Sequence, residues 1–178
     1  MKYCSNCAQK LIKEIPKGDN RERFVCPACN EIHYQNPKVV TGCLAIHDDR
    51  ILLCRRAIHP RKGLWTLPAG FLENSETTAE GAKRETFEEA NANIELLHLY
   101  TLFNLPHISQ IYMFYIGKLS NLDFFPGEES METSLFSEAD IPWKEIAFPV
   151  VTSTLEKYFK DLKTGEFAFR ETDIFPGK

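Results

Sequence analysis

Four of the six cysteines in this 178-residue chain fall as two pairs, Cys4-x2-Cys7 and Cys26-x2-Cys29, with 18 residues between them. Few sequence patterns restrict a fold as tightly. Each CxxC turn can present two thiolates to one tetrahedral ion, and the doubled spacing is that of a zinc ribbon. Residues 8–25, with Pro16, Gly18 and Asp19 among them, read as two short strands joined by a polar turn. A module of ~35 residues has too small a core of its own, and bound zinc supplies on the order of 10 kcal/mol of folding energy in such cases. A closed site of Cys4, Cys7, Cys26 and Cys29 leaves no open coordination position, so the zinc is expected to be structural. His33 is a spare ligand beside four cysteines that already suffice. Redox activity or disulfide pairing is the competing use, disfavoured by the doubled motif and by the compartment expected below. Cys43 and Cys54 lie in apolar runs and read as core residues.

The chain opens with neither a charged-then-apolar signal nor an Arg/Ser-rich transit segment, and no run approaches a membrane span, so a cytoplasmic location without a membrane partner is expected. Lysine and arginine total 21 against 25 aspartate and glutamate, a net charge of -4 that gives no bulk attraction to nucleic acid. Hydrophobic residues at 43% and charged residues at 26% are the balance of a folded soluble protein, long enough for one full domain plus a small appendage.

Pro37 restricts Asn36 to an extended shape, and the pattern changes character there. Two domains follow, 1–34 and 35–178. In the second, residues 39–46 (VVTGCLAI) and 51–54 (ILLC) flank a polar turn and predict a hairpin. Arg55, Arg56, Arg61 and Lys62 form a positive cluster beside its end. Residues 94–103 and 111–119 predict strands joined by a Pro-containing loop at 104–110. A helix is expected from Phe148 or Pro149 to Lys163, with Val151, Leu155, Tyr158, Phe159 and Leu162 on one face and Gly165 as its stop. Residues 166–178, with Phe167 and Phe169, are expected to add an edge strand or pack on the core. The mixture gives an α/β or α+β domain.

Thr77 and Glu80 make a capping box, so a helix should begin there. Ala79, Ala82, Thr86 and Ala90 form a small-residue face for close packing. Glu85, Glu88 and Glu89 then share one edge, where like charges repel unless a cation compensates. Oxygen-only ligands suit magnesium or manganese, especially beside a phosphate. An isolated acidic cluster with Arg84 pairing to Glu88 at i, i+4 would be only a solvated face.

The upstream spacing adds weight to the metal reading. Gly70, five residues, Glu76, seven residues, then Arg84-Glu85-Thr86-Phe87-Glu88-Glu89-Ala90-Asn91-Ala92 resembles the Nudix box, GX5EX7REUXEEXGU with U a bulky aliphatic. Thr86 and Ala92 are weaker than the usual aliphatics, and Asn91 stands where glycine ends the helix; Asn tolerates that left-handed position best after Gly. The resemblance implies a Nudix fold, an α/β arrangement with a mixed sheet between helices, and hydrolysis of a nucleoside diphosphate linked to another group. It also implies Glu85, Glu88, Glu89 and the Gly70 carbonyl as Mg2+ ligands, Arg84 orienting Glu85, and Glu76 as mainly structural. In this family a later glutamate often acts as base or extra ligand; Glu129 is the first choice and Glu132 the second, both in the acidic loop 126–132.

A Cys4 ribbon ahead of a Nudix domain resembles two groups of enzymes. The bacterial NADH pyrophosphatases, which also remove NAD caps from RNA, carry SQPWPFPxS after the box, where this chain has NLPHISQ at 104–110. The plastid FAD pyrophosphatases of plants are similar at YQNPK (34–38), GLWTLPAG (63–70) and PGEES (126–130). FAD to FMN plus AMP is the expectation from this likeness, with ADP-ribose as a further substrate; a homodimer is also a common arrangement among the relatives. Trp65, Phe103, Tyr112 and Phe114 are candidates for stacking on a base, against the ordinary reading of strand aromatics as core. A ribbon with an inactive Nudix domain, serving as a ligand sensor or nucleic-acid module, would instead predict loss of the glutamates and a basic ribbon surface.

Overall fold

Pro37 closes the first of the two units into which the chain divides, Met1–Pro37 and a larger one from Lys38 onward; the computed structural model describes residues 1–175. In the first unit β1 (Ile12–Glu14), β2 (Arg23–Val25) and β3 (Ile32–His33) form an antiparallel sheet in that order. The polar turn between β1 and β2 is closed by the Asp19 amide donating to the Pro16 carbonyl at 3.0 Å and by Arg23 Nε donating to Asp19 Oδ2 at 2.8 Å. Cys4, Leu11 and Cys26 form the buried apolar cluster of this unit, with Phe24 packed against it, and Val25 is buried as well.

The larger unit contains β4 (Lys38–His47), β5 (Arg50–Arg56), β6 (Trp65–Thr66), β7 (Ala69–Phe71), α1 (Thr78–Ala90), β8 (Ile94–Leu105), β9 (Gln110–Leu119), β10 (Ser130–Phe136), α2 (Pro149–Thr164) and β11 (Arg170–Asp173). Its sheet runs β10-β5-β4-β9-β8-β11, with β6 on β5 and β7 on β4. The β4/β9 and β8/β11 pairs are parallel and the others antiparallel, so the sheet is mixed. The expected hairpin closes through Ile46↔Ile51 and His47↔Arg50.

Period-two alternation sets the layers. On β5, Ile51 and Leu53 join the cluster containing Val151, Leu155, Tyr158 and Phe159 of α2, whereas Leu52 and Cys54 join the one containing Ala90 of α1. The sheet thus lies between two helices in the Nudix arrangement. Of the expected small-residue face, Ala82, Thr86 and Ala90 are fully buried and Ala79, in the first turn, is half-buried. Burying a side chain such as Leu155 contributes about 1.5–3 kcal/mol.

Leu162 departs from expectation at 39% exposed; its place inward is taken by Asp161, 3% exposed. Asp161 accepts from Tyr100 Oη at 2.8 Å and pairs with both terminal nitrogens of Arg170, the Nη2–Oδ1 distance being 2.7 Å. This ion pair, buried on its Asp161 side, anchors β11, which adds a parallel edge strand along Thr101–Asn104. Residues 176–178 of the expected terminal segment lie outside the described residues. No helix among the described residues is long and apolar enough to cross a membrane.

Candidate active site and metal centres

In the first unit the four sulfurs of Cys4, Cys7, Cys26 and Cys29 lie within 4.8 Å of one another. Cys4–Cys29, Cys7–Cys26 and Cys7–Cys29 are separated by 3.7, 3.4 and 3.6 Å. A tetrahedral ion with bonds of about 2.3 Å needs sulfurs about 3.8 Å apart, so donor set and spacing fit zinc. Donation from the Cys29 amide, aided by that of Ala28 and opposed by desolvation, holds Cys26 down to about 6, whereas, against donation from the Glu31 amide, the neighbouring thiols push Cys29 up to about 12. His33 Nε2 reaches Cys4 Sγ at 3.4 Å, an outer contact to a sulfur.

In the larger unit, Thr77 caps α1 as the sequence implies: Glu80 N donates to Thr77 Oγ1 at 3.2 Å and Thr77 N to Glu80 Oε2 at 2.7 Å. The helix then presents Glu85 and Glu89 inward, 9% and 6% exposed, and Glu88 outward. The Glu85 carboxylate lies directly against Gly70, where any Cβ would collide with it. Only glycine lets the backbone of β7 approach that carboxylate so closely.

Arg84 organises this edge. It grips Glu76 with two donors, Nε to Oε2 at 3.0 Å and Nη2 to Oε1 at 2.7 Å, and donates to the Phe71 carbonyl at 3.1 Å. Its Nη1 lies between Glu85 Oε1 at 2.7 Å and Glu88 Oε2 at 2.8 Å, so the orienting contact and the i, i+4 pair coexist. The hydrogen bonds from Arg84 push Glu76 down to about 2. Burial raises Glu85 despite Arg84. Burial, followed by the charge of Glu85, lifts Glu89 to about 8, against the opposing charge of Arg56 and donation from the Ala69 amide.

The charge of Glu129, exposed in its loop, contributes to the raising of both Glu85 and Glu89. Glu132 lies beyond a bulge on β10 and pairs instead with Arg55 at 3.5 Å. Arg56, noted in the sequence only within a positive cluster, acts electrostatically on Glu89 and on Tyr112. It also stacks over the Phe148 ring at 5.2 Å. The signal was the Arg55-Arg56 pair at a strand end, where one residue of the two turns to each face. Trp65, Phe103 and Phe114 are buried in the core; Tyr112 alone of the four stacking candidates is partly open. Glu85 and Glu89 are buried on one edge of α1 with glycine pressed on the first, and such oxygen-only donors suit a hard divalent cation, although among the described residues only the four cysteines gather within 4.8 Å of one another.

The "NUDIX domain" family model matches residues 36–153 and the "Nudix N-terminal" model residues 2–35. The chain belongs to the Nudix family, with the family's N-terminal ribbon. A solved Nudix hydrolase from Nitrosomonas europaea is 52% identical, covers 98% of this chain and 99% of its own, and superimposes with a TM-score of 0.95. The NAD-capped RNA hydrolase NudC of Chromobacterium violaceum is 26% identical over 140 residues, covering 78% of this chain and 51% of that protein. The human mitochondrial NAD(P)H pyrophosphatase NUDT13 is 33% identical over 104 residues, 58% of this chain and 28% of that protein. The chain thus spans about half the length, or less, of the curated relatives it matches.

Proposed function

We propose that this protein hydrolyses the diphosphate bond of an adenine dinucleotide, with Mg2+ or Mn2+ held by Glu85, Glu88, Glu89 and the Gly70 carbonyl. The observation that carries this reading is the pair of nearly buried carboxylates, Glu85 and Glu89, both raised chiefly by burial, Glu89 further by the charge of Glu85 and Glu85 by that of Glu88. Such mutual repulsion stabilises nothing by itself and is relieved by a cation. When bound, the metal polarises the diphosphate and neutralises charge on the leaving phosphate. Arg84 holds Glu85 and Glu88 at fixed positions, and Glu76 fixes Arg84. Glu129 accepts the proton of the attacking water as the new oxygen–phosphorus bond forms and the bridging oxygen leaves. In the ribbon, zinc on Cys4, Cys7, Cys26 and Cys29 is structural.

FAD is the first substrate, cleaved to FMN and AMP, with ADP-ribose the second, on the likeness of YQNPK, GLWTLPAG and PGEES to the plant enzymes. A cytoplasmic location accords with both. A second reading, NADH or NAD-capped RNA, is favoured by the names of the curated relatives above. Against it, the β8–β9 connection carries NLPHISQ rather than SQPWPFPxS. Steady-state kinetics with FAD, ADP-ribose, NADH and NAD-capped RNA, each with and without Mg2+, tests the proposal. A higher kcat/KM for NADH or capped RNA would replace FAD by the second reading. No cleavage of any would remove the enzyme reading and leave the ligand-sensing one, whereas full activity in Glu88→Gln would remove Glu88 from the metal site.

A further inference from the structure

Asn91, the residue that stands where the family pattern has glycine, does more than end a helix. Its backbone is left-handed, φ 48° and ψ 27°, with its N–H on the Phe87 carbonyl at 2.7 Å. That much a glycine would do equally well. Its side-chain amide Nδ2, however, donates to the carbonyls of Phe125 at 3.1 Å and Pro126 at 3.4 Å. Both partners are carbonyl oxygens, so the nitrogen must face them. The same loop returns two donors to the helix, Phe125 N to the Ala90 carbonyl and Gly127 N to the Glu89 carbonyl, both at 2.9 Å. Gly127 packs so close to the Glu88 carbonyl that a Cβ there would collide with it. Beyond it, Ser130 N binds the Gly127 carbonyl at 3.1 Å and the Glu129 carbonyl accepts from Ala57 N at 2.7 Å. The backbone leading into Glu129 is therefore fastened to the turn that carries Glu88 and Glu89.

We propose that Asn91 is a positioning residue: its amide clamps the loop at 125–127 onto the end of α1 and thereby fixes the Glu129 carboxylate against Glu85 and Glu89. The catalytic half of this inference rests on the function proposed above; the clamp itself does not. Asn91→Gly keeps the left-handed stop and removes only the amide. Asn91→Asp keeps the size and turns an acceptor toward two carbonyls. In both variants the amides of Phe125 and Gly127 should exchange with deuterium about tenfold faster, the scale of one lost hydrogen bond, while those of Glu85 and Thr86 inside α1 stay protected. Unchanged exchange at Phe125 and Gly127 in both variants overturns the clamp, whatever the enzyme does.

A double-mutant cycle then tests the link to chemistry. Asn91→Gly should lower kcat severalfold with little change in KM, and the loss should disappear in a Glu129→Gln background, because the clamp then positions nothing that reacts. An equal loss in both backgrounds overturns the route through Glu129. Absence of dinucleotide cleavage by the unaltered protein would sink the function reading, and the exchange result would still decide on the clamp.

Discussion

The two units of this chain are held together by different means. From Met1 to Pro37 the buried apolar residues are four, Cys4, Leu11, Val25 and Cys26, two of them cysteines, among three strands of two or three residues each. From Lys38 onward, two apolar clusters flank a mixed sheet, and the carboxylates of Glu85 and Glu89 on α1 are buried. In the first unit a metal would replace a missing core. In the second the core is ample, and its surplus tolerates a repulsive cluster whose use is chemical. The same element type, a metal, is thus expected to be structural in one unit and functional in the other.

The largest test of that contrast is Cys26→Ser, or zinc removal by a chelator followed by restored Mg2+. The first unit should lose its folded amide resonances, since zinc supplies on the order of 10 kcal/mol in such modules. Resonances of β4, β5, β8 and β9 should persist, and equal loss in both units would break the comparison. Next in size, Glu88→Gln should lower kcat about 100- to 1,000-fold through lost electrostatic stabilisation, with an unchanged melting temperature. A stability loss without a rate loss would make Glu88 structural.

A smaller effect is expected from pH. Glu89 rises from 4.5 in the unfolded chain to about 8 in the fold, chiefly by burial. In metal-free protein the unfolded state therefore loses this proton first. The associated stability is complete below pH 4.5 and is lost as pH rises through 8, amounting to a few kcal/mol at most. Urea midpoints of the metal-free protein should fall from about pH 5 to about pH 9, with Glu89→Gln flattening the fall and saturating Mg2+ opposing it. Glu76, held at about 2 by Arg84, works in a separate window: its stability is present above pH 4.5 and is lost as pH drops toward 2. The smallest change is Gly165→Ala. Gly165 has φ 76° with open space around it, so the substitution should cost ~1 kcal/mol through backbone strain alone, read as a small drop in melting temperature.

Much of the architecture was legible because it obeys local rules. The CxxC spacing, the Thr77–Glu80 capping box, the hairpin at His47–Arg50 and the Gly165 stop each follow from a few neighbouring residues. What the sequence hid depends on partners far along the chain. Leu162 fits the helical stripe, yet the last turn of α2 rolls Asp161 inward because Arg170 is there to meet it. Glu129 and Glu132 look equivalent as loop acids; a bulge between Ser130 and Glu132 sends the second toward Arg55. Arg56 could be noticed as a charge but not assigned to a neighbour, since Glu89 and Tyr112 reach it from other elements. Asn91 looked like a tolerated substitution, because the carbonyls it binds lie 34 and 35 residues away.

Helix α1 has one further property. Its first turn carries Glu80, which suits the positive end of a helix dipole, but its last turn holds Glu88 and Glu89 and no basic residue. Aligned peptide dipoles leave about half a negative charge at that end, so these two acids face the wrong polarity for an isolated helix. A divalent cation held there would meet both the carboxylates and the dipole with favourable sign. Loading the metal would then also complete the electrostatics of α1, so that the helix reaches its full stability only when the protein is ready to act.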